Sequence, residues 1–416
     1  TMNFLPVLLL LASDGAGAAP LTEARAVELA LQNSPLLKAR AHEVDEARSL
    51  TEVATQLSNP QLRVSRLRSD RLLDPAIDRR SYGHHPFEDV SVGVRWSPPG
   101  LGQRSARAAE GRVREADVAV DLDRAKRELV ARVRRLHATI GNLDAQIALG
   151  QETIEQRDKL RTLIRQRVEQ QAATRLDLAL AEVDYLDVFT GLAEIQVRRR
   201  LAYDELLIQL GLPPETKLEL AAPPTETCSP SPEGAALVER AQKGSPRLQL
   251  FAARLRASDA ERSQRWLSLL PWPDFLELSY VLAGDNDPSY FRLDLALPLP
   301  LLDWKGPDRR ALSARRAGRL EELRAEDQQV ADRVRQALAE QAEQAALVQR
   351  SRQVAAAVDE GLSHVRKALE SGETSNLVQV EQIQTRLLAV RRARLRAQLE
   401  CKLRQIEVDR LVSGGS

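Results

Sequence analysis

His84 and His85 stand side by side, with Asp70, Asp74 and Asp78 shortly before them. Imidazoles and carboxylates gathered in this way are the donors that hold a zinc, calcium or magnesium ion. The stretch that carries them, "SDRLLDPAIDRRSYGHHP" (residues 69–86), is polar and rich in turn formers, so an exposed loop is the simpler reading and no metal site is assigned. Two cysteines, Cys228 and Cys401, are too few for a disulfide framework and lack metal-ligand spacing. The arginine runs "VRRR" (197–200) and "VRRARLRA" (390–397) carry the charge that nucleic acid would require. They alternate with Leu and Ala at helical spacing, which makes them solvated or channel-lining faces. No nucleophile elbow, phosphate-binding glycine loop or Cys/His cluster occurs. Neither an enzyme nor a cofactor is expected.

The chemistry therefore lies in architecture, and composition points the same way. A chain of 416 residues has room for two or three ordinary domains. Lys and Arg number 60 against 59 for Asp and Glu, and a formal charge of +1 argues against a polyanionic partner. Aromatic residues make up only 4% while charged residues reach 29%, as in long helices with much surface and no thick globular core.

The N-terminus reads as an export signal. "FLPVLLLLA" (4–12) is an apolar core, and Ala16-Gly17-Ala18 offers a small-residue cleavage site, giving a signal peptide over residues 1–18. Basic residues are missing before it, and a buried first helix is the alternative. No cysteine follows at once, so a lipid anchor there is not expected. No other run approaches the roughly 18 apolar residues of a membrane-spanning helix.

The chain also matches itself. "ALQNSPLLKARAHEVDEA" (30–47) is echoed by "AQKGSPRLQLFAARLRASDA" (241–260), and "NPQLRVSRLR" (59–68) by "WPDFLELSYVL" (272–282). "WSPPGLGQR" (96–104) is echoed by "LPLPLLDWKGPDRR" (297–310), and "QQAATRLDLALAEVDYL" (170–186) by "SGETSNLVQVEQIQTRL" (371–387). Four landmarks recurring in one order indicate a tandem duplication. The first repeat spans 19–212, a Pro-rich linker 213–233 and the second repeat 234–412. Each repeat reads as a helix, a β-hairpin (about 60–97 and about 273–299) and a long helical hairpin (about 101–210 and about 306–412).

The strands alternate with period two. Val90, Val92, Val94 and Trp96 share one face, as do Leu276 and Leu278 in the third strand and Phe291, Leu293 and Leu295 in the fourth. The opposite face carries Ser91, Gly93, Arg95, Glu277, Arg292 and Asp294. Segments of this length cross a bilayer when tilted, so with the signal peptide and the duplication the apolar face is assigned to lipid. For the helices, Gln103 to Glu169 runs without proline, a rod of about 100 Å at the helical rise. Leu129, Val133, Leu136, Ile140, Leu143 and Ile147 step as a coiled-coil seam, and Val354, Val358, Leu362, Val365 and Leu369 do so in the second repeat. Four strands leave two open edges, which hydrocarbon does not tolerate. Several copies must therefore close one barrel.

These landmarks resemble the TolC-like outer-membrane factors. The "NSP" and "GSP" triplets, the "LLDWKGPDRR" hinge, the "GETSNLVQVEQIQ" turn and "YDELLIQLGLPP" (203–214) all fit, from about Leu21 onward. The resemblance implies a mainly α protomer with a membrane β-barrel, a homotrimer whose twelve strands close the barrel, and an α-helical tunnel in the periplasm of a Gram-negative cell. It implies the passive exit duct of a tripartite efflux or type I secretion system, meeting a periplasmic adaptor and an inner-membrane pump and conducting small molecules, metal cations or drugs. The "PPGLGQR" hinge leans toward cation and drug pumps; a single methionine, Met2, and five scattered histidines give copper no support.

By the same resemblance the hairpin turns form the functional tip. Thr174, Leu176, Gly372 and Ser375 fall where the family meets its adaptor, and Asp177, Glu381, Leu377 and Val378 where it narrows the lumen. Val378 stands where a second acid is expected, and Thr374 where an arginine sometimes sits. The seal is then acidic, through Glu381, or apolar, through Leu377 and Val378. The alternative function is a periplasmic helical adaptor or structural protein, which would carry one hairpin and lack strand pairs apolar on one face.

Overall fold

A computed structural model describes residues 20–69, 87–221, 234–282, 288–298, 306–370 and 377–413. The expected signal peptide, the stretch holding His84 and His85 with its three aspartates, Cys228, and the turn residues Gly372 and Ser375 lie outside the described residues. Six elements occur in order and then recur. The first set is α1 (Glu23–Asn33), α2 (Pro35–Thr55), β1 (Gln61–Ser69), β2 (Phe87–Trp96), α3 (Gln103–Glu169) and α4 (Arg175–Leu210). The second is α5 (Gly234–Lys243), α6 (Pro246–Leu267), β3 (Phe275–Leu282), β4 (Tyr290–Ala296), α7 (Gly306–Glu370) and α8 (Leu377–Val412).

Two helices precede each strand pair where the sequence suggests one. The break falls at Ser34-Pro35 and again at Ser245-Pro246. Proline disfavours the helical region for the residue before it, and Ser34 is extended at φ −61° and ψ 113°. The prolines then open the next helices, where a missing N–H costs nothing.

The described residues form two compact units, each drawing on both repeats. One holds residues 40–121 and 246–327, and with them the whole sheet. Strand order is β1-β2-β3-β4, antiparallel throughout, so the β2–β3 pairing joins the two repeats and β1 and β4 are edges. The register aligns rows across the sheet. Val64, Val92, Tyr280 and Phe291 form one row, Leu62, Val94, Leu278 and Leu293 the next, and Trp96, Leu276 and Leu295 a third. Between them, on the other face, run Arg63–Gly93–Ser279–Arg292 and Gln61–Arg95–Glu277–Asp294. A Cβ on Gly93 would lie 2.6 Å from that of Ser279, so β2 and β3 approach too closely there for any side chain.

The other unit comprises, among the described residues, 20–39, 122–221, 234–245, 328–370 and 377–413, and these are mainly helical. Ala26 and Ala30 of α1 pack against Val133 and Ile140 of α3 and Leu206 and Leu210 of α4. In parallel, Ala241 of α5 packs against Val334 and Ala337 of α7 and Val408 and Val412 of α8. The α3 seam is buried at Val133, Leu136, Ile140 and Leu143, as its heptads predict. On α7 the contact stripe is displaced by a residue: Val354 is half exposed while Ala355 is buried, in line with Ala331, Ala337, Ala345 and Val348. Alanine lets helix axes approach more closely than Val or Leu would, so Ala355 takes the contact there and Val354 turns away. Cys401 is fully buried beside Ala345, Val348 and Ala397 and is disulfide-bonded.

The start of the described chain is clasped by charge. Leu21 exchanges backbone hydrogen bonds with the strand-like segment at Glu219 and Ala221. Glu23 accepts from Arg134 at 2.5 Å, Arg134 also donates to Asp409 at 2.8 Å, and Lys402 lies 3.6 Å from Glu23. Burial alone would raise the Glu23 carboxyl, but the Arg134 hydrogen bond and charge, with Lys402 and His137, outweigh it and hold it below the ordinary value of 4.5. A depressed carboxylate stabilises the folded state above its unfolded pKa, and the contribution disappears as pH falls through the folded value. Glu23→Gln should therefore weaken hydrogen-exchange protection of α1 at neutral pH. The difference from the parent protein should vanish on acidification below that value; a gap independent of pH would exclude the ionic clasp.

Candidate functional site: the hairpin turns and the two-faced sheet

The turn between α3 and α4 is built from two opposed caps. Gln171 adopts the left-handed conformation at φ 60°, and Ala172 N–H reaches back to Arg167 C=O while Gln171 N–H reaches Val168 C=O. This is the Schellman closure, usually made by glycine; Gly372 stands 201 positions later, as does the end of α7 relative to α3. Three residues on, Thr174 accepts from Asp177 N–H, and the Asp177 carboxylate accepts from Thr174 N–H at 2.8 Å and from its hydroxyl at 2.7 Å. That reciprocal capping box holds the Asp177 carboxyl below its ordinary pKa through the Thr174 hydroxyl and amide. Asp177, which the resemblance places in a gate network, is thus engaged in starting α4. Thr174 and Leu176 are exposed beside it.

Leu377, Val378 and Glu381 lie in the opening turns of α8. Val378 is 201 residues from Asp177, so the second repeat lacks the acid that completes a capping box.

A residue the sequence does not single out ties this region together. Arg157 of α3 is 9% exposed; its Nη2 donates to Thr385 of α8 at 3.0 Å and its Nη1 lies 3.7 Å from the Asp184 carboxylate of α4. Farther along, Asn142 donates to Leu395 C=O at 2.7 Å and Glu152 lies 3.8 Å from Arg391. The first hairpin is therefore laced to the last helix by polar contacts. In "ETIEQRDKLRTLIRQR" Arg157 is one cation among several, and its burial follows only from the packing of three helices.

A second arrangement is the unpartnered apolar stripe of α4. Leu176, Leu180, Val183, Val197, Leu201 and Ile208 recur at heptad spacing and are all more than half exposed. On the sheet, Leu62, Val64, Val92, Val94, Leu278, Phe291, Leu293 and Leu295 are likewise exposed on one face, with Val90, Trp96 and Leu276 partly covered. The Phe291 ring lies tilted 5.0 Å from that of Tyr280 at one limit of this band, and Trp96 stands at the other. The opposite face is polar: Arg63 donates to Glu277 at 3.1 Å, Arg95 lies 4.0 Å from the same carboxylate, and the Ser65 and Ser91 hydroxyls meet at 2.7 Å. Among the described residues no helix is long and apolar enough to cross a membrane, and no cluster with metal-binding composition occurs.

Comparison with known proteins places this geometry. Residues 26–211, which lie within the first repeat, match the family described as outer membrane efflux protein. None of the curated proteins matches the sequence. Among solved structures, a membrane protein from Pseudomonas aeruginosa is 19% identical with a TM-score of 0.74, over 94% of this chain and 90% of that one. The outer membrane protein VceC of Vibrio cholerae is 15% identical with a TM-score of 0.71 over 94% and 96% of the two chains. The open state of the Neisseria gonorrhoeae MtrE outer membrane channel is 16% identical with a TM-score of 0.71 over 94% and 89%. The match over residues 26–211 thus makes the first repeat similar to the outer membrane efflux protein family, and the chain as a whole shares the fold of these outer membrane channel structures.

Proposed function

We propose that the protein is the outer-membrane exit duct of a tripartite pump, passively conducting small molecules that an inner-membrane transporter supplies. The observation that carries this is the sheet: apolar and exposed on one face, charged on the other, with β1 and β4 as unpaired edges. Hydrocarbon requires every strand edge to be paired, and edge strands of neighbouring copies satisfy that requirement by pairing with each other. Three copies give twelve strands, the number in the family's barrel. The apolar rows then face lipid and the Arg63–Glu277–Arg95 side lines water. The α4 stripe gives the helices an apolar surface for the neighbouring copy. The turn residues Thr174, Leu176, Gly372 and Ser375 meet the adaptor, and the start of α8, at Leu377, Val378 and Glu381, narrows the lumen. An adaptor role in place of the duct has no support from the sheet, since a soluble adaptor gains nothing from a four-stranded face of exposed Leu, Val and Phe.

The test is assembly. Extracted in detergent, the protein should run at about 140 kDa, three chains of 46.2 kDa, and conduct ions in planar bilayers. A stable monomer in water without detergent would end this reading.

A further inference from the structure

All four tryptophans of the chain fall where strands and helices meet in sequence: Trp96 ends β2, Trp266 is the penultimate residue of α6, Trp272 precedes β3 and Trp304 lies between β4 and α7. The three described ones all retain solvent exposure, and Trp266 is half exposed. Trp96 and Trp272 line a cleft of about 400 Å³ with Leu57, Pro98, Pro99 and Arg104, a volume in the range of small-ligand sites.

The cleft is held open by backbone contacts. The Trp96 indole N–H donates to Ser58 C=O at 3.0 Å, and the Ser58 hydroxyl donates to Ser97 C=O at 2.6 Å. Arg104 Nε donates to Thr55 C=O at 3.0 Å. Its guanidinium has no carboxylate partner among the described residues, so a cation sits at the cleft with its charge uncompensated. Gly102, left-handed at φ +75°, brings the hinge against Leu267, since a Cβ there would lie 2.9 Å from the Leu267 side chain. Exposed Leu267, Leu270 and Leu57 extend the apolar surface around the opening.

What would fill an apolar cleft with two indoles and one free cation? Its apolar wall continues directly into the sheet's apolar face, because Trp96 is in register with Leu276 and Leu295. Indoles favour the level of the headgroups, where the ring is buried and the N–H stays polar. A guanidinium beside them matches a phosphate by charge and by paired donors. We propose that this cleft binds one phospholipid of the periplasmic leaflet, with the phosphate on Arg104 and an acyl chain entering the apolar face at Trp96 and following β2 past Val94. The inference rests on the outer-membrane reading and adds a lipid site to it.

The full-length protein is reconstituted into phosphatidylethanolamine–phosphatidylglycerol vesicles, with bromine placed either near the headgroup or near the acyl terminus. Shallow bromine should quench tryptophan emission severalfold more than deep bromine, and Trp96→Phe with Trp272→Phe should remove most of that excess. Native mass spectrometry of detergent-extracted protein should show retained phospholipid that falls severalfold in Arg104→Gln and persists in Arg104→Lys. Equal quenching by both lipids, or equal retention in Arg104→Gln and the parent, would overturn the site. Absence of quenching by either lipid in a protein that inserts and conducts would mean that a second copy covers the cleft, and would also overturn it. Failure to insert at all would instead remove the outer-membrane reading on which the site depends.

Discussion

Val92→Arg and Leu295→Arg are each expected to eliminate most of the assembled channel from the outer membrane. Val92 lies in the row with Val64, Tyr280 and Phe291, and Leu295 in the row with Trp96 and Leu276, so both side chains leave the sheet on its apolar face. A lipid-facing arginine near the midplane of a barrel costs about 2–4 kcal/mol. In the proposed trimer three copies multiply that penalty within one assembly, which brings it to the order of a whole domain's stability. Ser91→Arg and Asp294→Arg, one residue along the same strands, place the same charge on the polar face beside Ser65 and Arg292. They should assemble nearly as the parent does. The measurement is the heat-dissociable oligomer band in outer-membrane fractions, and comparable loss in both pairs would show that the sheet does not present its apolar face to lipid.

The second large effect concerns Arg157. Truncating it leaves α3, α4 and α8 without their shared cation, so Thr385 and Asp184 lose a partner. A hydrogen bond to a charged group contributes about 1.5–3 kcal/mol. If those contacts exist in the closed duct and part when it opens, the loss shifts the equilibrium toward the open state, with about 1.4 kcal/mol for each tenfold change. Arg157→Ala should then raise the open fraction in planar bilayers by about tenfold or more and admit large hydrophilic antibiotics to cells that normally exclude them. Lys159→Ala is the control: Lys159 pairs with Glu155 on the helix exterior and its loss should change nothing. Parent-like conductance in Arg157→Ala would mean that the contact persists in both states.

Much of this architecture is written in local pattern. The alternation at Val90 to Trp96, the abrupt change of period after Pro98-Pro99, and the doubled landmarks specify strands, long helices and a tandem repeat before any contact is known. The turn residues are legible for the same reason, since Thr174 with Asp177 three positions later is a local cap. Other features depend on what lies opposite. The α7 seam could not be phased from Val354, because alanine carries little hydrophobic signal and yet decides how closely two helices approach. Arg157 looks like its neighbours until α4 and α8 close around it. The Asp177 carboxylate carries the same charge in a gate as in a cap, and only the geometry of Thr174 assigns it to the cap.

The open edges of the sheet also have a genetic consequence. In the proposed trimer, a ring whose wall is contributed by three chains is no better than its worst chain, because one strand that cannot pair leaves a gap in the whole circumference. An allele that damages β1 or β4 while sparing the α4 stripe would still enter assemblies and spoil them. In a cell producing equal amounts of intact and damaged chain, random mixing leaves about one ring in eight wholly intact. Edge-strand lesions should therefore behave as dominant alleles, whereas lesions that stop a chain from folding at all should be recessive.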